Sequence, residues 1–162
     1  MYLVDSNVLI EAKNRYYAFD IAPGFWEWLE AAHAAGEVGS IEAVKTELVG
    51  GADELSAWAQ GHGSFFQPID EATTAHFPAL TMWAASRPFT PAALAGFAGN
   101  QADYQLVAHA RGHNHVLVTH ERPDPNSRKR VKIPDACAAI GATCLDPFEM
   151  MRRTGAKLEL GT

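Results

Sequence analysis

Cysteine is scarce. Only Cys137 and Cys144 occur in 162 residues, a count that excludes a disulfide framework and suits two reduced, mostly buried thiols. No apolar run approaches the roughly 18 residues that suggest a bilayer-spanning helix, so no membrane segment is expected. Met1 leads straight into Tyr2-Leu3-Val4-Asp5 without a basic stretch ahead of an apolar one. A signal peptide is therefore not expected, and a cytoplasmic location is. Internal repeats and low-complexity segments are also missing. Positive charge is in short supply: 13 Lys and Arg stand against 19 Asp and Glu, a formal net charge of −6. This excludes a strongly basic, electrostatically driven nucleic-acid binder. It does not exclude an enzyme that gathers carboxylates around a metal and still accepts a phosphodiester.

Hydrophobic residues make up 48% of the chain, enough for a continuous core without disulfide or metal support, and the length fits one domain over residues 1–162. Tyr2-Leu3-Val4 reads as a short strand ending at Asp5-Ser6-Asn7, side chains that favour turns and helix caps. Val8 to Lys13 continues as a short helix. Phe25, Trp28, Leu29 and Ala32 follow helical spacing, with Pro23 in the first turn and Gly36 as the stop. Val38 to Ile41 is a second strand, followed by helices over Ala43–Val49 and Asp53–Ala59. Phe65-Phe66-Gln67 is a third strand candidate. Pro78, Pro88 and Pro91 divide residues 70–99 into short helical pieces, expected to act as a lid, an inserted layer or an interface.

Beyond Gln101, Ala102, Leu106, Val107 and Ala110 share a helical face, and Gly112 is expected to end that helix. Val116-Leu117-Val118 is an apolar run of the parallel-strand kind. Glu121 to Lys132 is a polar loop, Ile133 to Ile140 a helix stopped by Gly141, and Thr143-Cys144-Leu145 a last strand before a helix opened by Pro147. Strands alternating with helices predict a three-layer α/β/α, Rossmann-like domain around a central parallel sheet.

In such a sheet, functional groups collect beyond the carboxyl ends of the strands. Asp5 follows the first strand and Glu121 lies just past the Val116–Val118 strand. Asp103 stands in the first turn of the helix before that strand, and Glu47 one turn into the helix after the second. Each has a plainer role available. Asp5 reads also as a helix cap, Asp103 as a complement to the helix dipole, Glu47 as a solvated partner of Lys45, and Glu121 competes with Asp124. Together the four carboxylates would repel one another unless a hard divalent ion, Mg²⁺ or Mn²⁺, compensates them. Such an ion polarises a phosphoryl oxygen and lowers the pKa of a bound water.

These residues resemble a known family. Leu3-Val4-Asp5-Ser6-Asn7-Val8-Leu9-Ile10 is similar to the opening of PIN-domain ribonucleases, whose aspartate is the first metal-site carboxylate and whose Ser/Thr-Asn pair, here Ser6 and Asn7, orders the site. Glu47 in Val44-Lys45-Thr46-Glu47-Leu48 resembles the second acidic position and Asp103 in Ala102-Asp103-Tyr104 the third. Leu117-Val118-Thr119-His120-Glu121 resembles the strand and Thr-x-Asp region of the fourth, with Thr119 and His120 in support. Val118-Thr119-His120-Glu121 and Lys132-Ile133-Pro134-Asp135 are similar to the DUF4411 branch. The resemblance spans residues 1 to about 146. It implies a Mg²⁺- or Mn²⁺-dependent endoribonuclease acting on RNA, often the toxin of a toxin–antitoxin pair with an antitoxin protein as partner, and often a homodimer. Two features depart from the pattern: Glu121 stands where an aspartate is usual, and the Pro-divided middle is longer than in compact members.

Arg128, Lys129, Arg130 and Lys132 are candidate phosphate contacts, or a solvated loop. His109, His113, His115 and His120 show no fixed tetrahedral spacing, and Gly112 is read as interrupting the first pair, so zinc is not expected. Trp26, Trp28, Trp58 and Trp83 fit helical core or interface positions better than base-stacking platforms. The competing functions are a non-catalytic protein- or RNA-binding domain with an incomplete acidic site, and a small-molecule phosphohydrolase.

Overall fold

In the computed structural model, which describes residues 1–99 and 101–160, short apolar strands alternate with amphipathic helices. Three positions within the expected 1–162 domain, Asn100, Gly161 and Thr162, lie outside the described residues. The strands are β1 (Tyr2–Val4), β2 (Val38–Ile41), β3 (Phe66–Gln67), β4 (Val116–Val118) and β5 (Thr143–Leu145). They form one sheet in the order β3-β2-β1-β4-β5, with every pairing parallel. Leu3, Val4, Val38, Ile41, Leu117 and Val118 are fully buried, as a sheet covered on both faces requires.

The order fixes where chemistry can occur. The chain runs from β1 out to β3 and then returns through β4 to the other side of β1, so the topological switch point lies between β1 and β4. Asp5 and Thr119 are the first residues beyond the carboxyl ends of those two strands.

Helices α1 (Ser6–Glu11), α2 (Pro23–Ala34), α3 (Glu42–Val49) and α4 (Glu54–Gly61) connect the first three strands, and a single turn of wide helix over Ala12–Tyr16 extends α1. Trp26 and Trp58 are buried and Trp28 and Trp83 pack against the same core, in keeping with their helical spacing. The Pro-divided segment becomes α5 (Glu71–Thr74), α6 (Phe77–Ser86) and α7 (Pro91–Ala95). Pro78 and Pro91 sit in first turns, where a missing N–H costs nothing. This segment is anchored to the polar loop: Thr90 N–H donates to the Arg128 carbonyl (2.9 Å), and Arg87 Nη2 to that of Pro125 (2.7 Å).

One helix end differs from expectation. The helix before β4, α8, spans Ala102–His113 and passes through Gly112; Asn114, at φ +55°, ends it in the left-handed conformation. Gly112 serves packing instead. A Cβ there would overlap the Ala72 carbonyl, so the missing side chain lets α5 lie directly on α8. The remaining helices, α9 (Ile133–Ile140) and α10 (Pro147–Arg153), flank β5.

Candidate acidic site at the sheet switch point

Asp5 ends β1 and caps α1. Its Oδ1 accepts the Val8 N–H at 2.8 Å, and its Oδ2 accepts the Thr119 hydroxyl at 2.6 Å across the switch point. With 1% of its surface exposed, it is the one buried acid among the described residues. Burial pushes its pKa up to about 7; the Thr119 and Val8 hydrogen bonds oppose the rise, and the charges of Asp103 and Glu121 add to it. Asp103, half-buried in the first turn of α8, is raised to about 6 by burial and then by Glu121 and Glu47, with the Arg130 guanidinium opposing. Asp5 and Asp103 thus both feel the charge of Glu121, while Glu47 acts on Asp103 alone of the two.

Glu121 is the most constrained of them. Its Oε2 accepts the Ile133 N–H at 2.8 Å, satisfying one of the free donors at the start of α9, and its own N–H donates to Thr119 Oγ1 at 3.1 Å. Oε1 is buried with Arg130 Nη2 2.7 Å away, near enough for an ion pair yet outside the geometry of a directed hydrogen bond. Glu47 is exposed. It faces a cleft of about 270 Å³ lined also by Asp103, Lys129, Arg130 and the α7 residues Ala92 and Ala93. The helical elaboration thus supplies one wall of the cleft.

Other sequence candidates lie elsewhere. His120 lines a second cleft with Glu121, Asp146 and Phe148, separate from the one that Asp103 and Glu47 line, and stacks on Tyr16 with ring centroids 5.7 Å apart. Ser6 is buried and Asn7 exposed on α1. Lys132 forms the backbone cap of α9, and Arg128 is exposed. Asp124 is exposed in the loop, where its Oδ1 accepts the Asn126 N–H at 3.2 Å. The sequence offers Arg130 as a phosphate contact or as part of a solvated loop, and its position against Glu121 has no local sequence signal. A second polar group, Asp70 with His109 and His113, was also missed. Burial lowers the His109 pKa to about 4, with His113 and His115 adding to the effect.

The sequence model of DUF4411, a domain of unknown function, matches residues 2–158. The chain belongs to the DUF4411 family. Among solved structures, the DUF4411 chain is similar to VapBC2 from Rickettsia felis bound to a DNA fragment from its promoter, at 16% identity and a TM-score of 0.53, covering 90% of this chain and 97% of that one. It is similar also to FitAB bound to an IR36 DNA fragment, at 16% identity and a TM-score of 0.54, covering 91% and 96%. At that identity the likeness shows the fold, which is a VapC-like PIN fold. No curated protein matches the sequence. Among the described residues of this DUF4411 chain, no helix is long and apolar enough to cross a membrane.

Proposed function

We propose that this protein is an endoribonuclease that hydrolyses RNA phosphodiester bonds with Mg²⁺ or Mn²⁺ held by Asp5, Glu47, Asp103 and Glu121. The observation that supports the reading is that Asp5 and Asp103, raised to about 7 and 6 chiefly by burial, both also feel the charge of Glu121. Negative charge only partly offset by Arg130 favours a cation, and an all-oxygen donor set suits a hard one. The donor chemistry suits such an ion, and Asp103 and Glu47 open onto one cleft, but the four carboxylates do not stand in ligating spacing: Asp5 is buried, Glu121 lines the second cleft, and among the described residues the group with three ligand atoms within 4.8 Å of one another is Asp70, His109 and His113. When bound, the ion supplies polarisation of the phosphoryl oxygen and a more acidic water.

The chain's own residues do the positioning. Thr119 and the Val8 N–H hold the Asp5 carboxylate in one orientation, while Ile133 and Arg130 fix Glu121. Lys129 and Arg130, on the cleft wall, are placed to attract the RNA backbone. The toxin role, an antitoxin partner and a homodimer are proposed on the resemblance to PIN-domain ribonucleases and on the partnered assemblies among the fold neighbours.

A second reading is a non-catalytic, binding PIN-like domain. It is favoured by the burial of Asp5 and by the ties of Glu121 to Ile133 and Arg130, which restrain both groups from moving onto an ion. Purified protein incubated with single-stranded and structured RNA in Mg²⁺, Mn²⁺ or EDTA separates the two. Cleavage that needs metal and disappears in the D5N/D103N double variant is expected. Cleavage persisting in EDTA overturns the metal role, binding without cleavage favours the second reading, and turnover of nucleotides or sugar phosphates alone identifies a small-molecule phosphohydrolase.

A further inference from the structure

At the opposite end of α8 from Asp103, a second constellation has different chemistry. His109 and His113 are four residues apart on one continuous helix, so their rings share a face, with centroids 4.4 Å apart. Asp70, the cap of α5, completes the group: one ligand atom from each of the three residues lies within 4.8 Å of the others. Ten residues of helix separate Asp103 from His113, about 15 Å at the ordinary rise, so this group is distinct from the acidic cleft.

We propose that Asp70, His109 and His113 form a binding site for a borderline divalent transition metal, Zn²⁺ by chemistry, that clips α5 onto the end of α8. Two imidazoles and a carboxylate are the donor set of a zinc site with an open fourth position for water, and differ from the all-oxygen set preferred by Mg²⁺. His113 Nε2 lies 3.0 and 2.9 Å from the two Asp70 carboxylate oxygens. Ligand atoms around a tetrahedral zinc are separated by roughly 3.3 Å, so the Asp70–His113 pair opens by a few tenths of an ångström, and any wider pair within the 4.8 Å group closes, to admit the ion. Asp70 is exposed and His113 partly so, which leaves both free to make that adjustment.

The surroundings are built to hold these ligands. Thr73 Oγ1 lies 2.9 Å from Asp70 Oδ1 and 2.8 Å from His109 Nδ1, and Gln67 Oε1 lies 3.2 Å from His109 Nε2. His109 is buried and oriented by both partners, in the manner of outer-shell groups that fix a metal-binding imidazole. One of those bonds must yield to the ion; the other then sets the ring's orientation. The bare Gly112 backbone permits the close α5–α8 approach that brings Asp70 to the histidines. His115 stacks on His113 at 5.5 Å and closes the far side.

The full chain, stripped with EDTA and exchanged into chelator-free buffer, is titrated with Zn²⁺ against a chromophoric chelator and with Co²⁺ while visible absorption is recorded. One equivalent bound with tetrahedral Co²⁺ bands, retained in the D5N/D103N double variant and weakened at least about tenfold in H113Q, is expected. D70N keeps a capping oxygen and should weaken binding as well. Zn²⁺ should raise the melting temperature of the parent but not of H113Q. Equal Zn²⁺ affinity in parent, H113Q and D70N overturns the proposal, as does binding lost only in D5N/D103N, which would put the ion in the acidic cleft. Circular dichroism of the metal-free variants identifies any that fails to fold, and the other variant then carries the test.

Discussion

Glu121 accepts the backbone N–H of Ile133 through a 2.8 Å hydrogen bond, so the carboxylate aligned with the fourth acidic position also anchors the start of α9. The extra methylene of glutamate spans this gap. An aspartate would fall short of it. E121D is therefore expected to lose about 1–3 kcal/mol of stability in urea unfolding, the cost of leaving a buried donor unpaired. E121Q keeps an accepting oxygen and should lose about 1 kcal/mol, chiefly through the Arg130 contact. A stability order reversed between the two would show that Ile133 finds another partner.

In EDTA the acidic site should make the protein less stable as pH rises. The folded-state values of Asp5 and Asp103, about 7 and 6, lie above the ordinary 3.8 that they regain on unfolding. Between these limits the native state holds more protons than the unfolded state, so stability falls with rising pH through that window. Urea midpoints at pH 5 and pH 8 measure the slope. D103N should flatten it and be no less stable than the parent at pH 8; a clearly lower midpoint would make Asp103 a structural helix-start residue.

Arg130 is the resident counter-charge. Its guanidinium lies against Glu121 and opposes the rise at Asp103, so it and a metal ion compete for the same negative potential. R130Q should be less stable than the parent in EDTA and gain more melting temperature from Mg²⁺. Equal gains in the two proteins would place the ion beyond Arg130's influence.

The packing role of Gly112 is tested by G112A. Its new methyl meets the Ala72 carbonyl, and separation of α5 from α8 should cost about 1–3 kcal/mol in spite of the better helix propensity of alanine. A stabilised G112A would mean that α5 shifts freely.

Much of the architecture was legible because the chain punctuates itself. Val4 gives way to Asp5 and Val118 to Thr119, and each change from apolar run to polar cap marks a strand's carboxyl end. The alternation of such runs with helical spacing carried the parallel α/β arrangement. Gly112 misled for a physical reason: glycine's weak helix propensity suggests a terminus, while close backbone contact from α5, which no local pattern encodes, keeps it inside the helix. The Asp70, His109 and His113 group was hidden by that error and by the 39-position separation of Asp70 from His109. Arg130 and Ile133 were likewise invisible as partners of Glu121, since only the loop's closure brings them together.

The 114-residue separation between Asp5 and Thr119 has a consequence for biosynthesis. β1 pairs with β2 early in the chain, yet its other edge waits for β4, so the innermost strand keeps an open edge until residues 116–118 have been made. The hydroxyl that orients Asp5 does not exist until residue 119 has been made. A chain truncated before that point carries the first aspartate without the geometry that gives it a role. The orientation of the Asp5 carboxylate is thus a property of both halves of the sheet, and no fragment that ends before Thr119 can supply it.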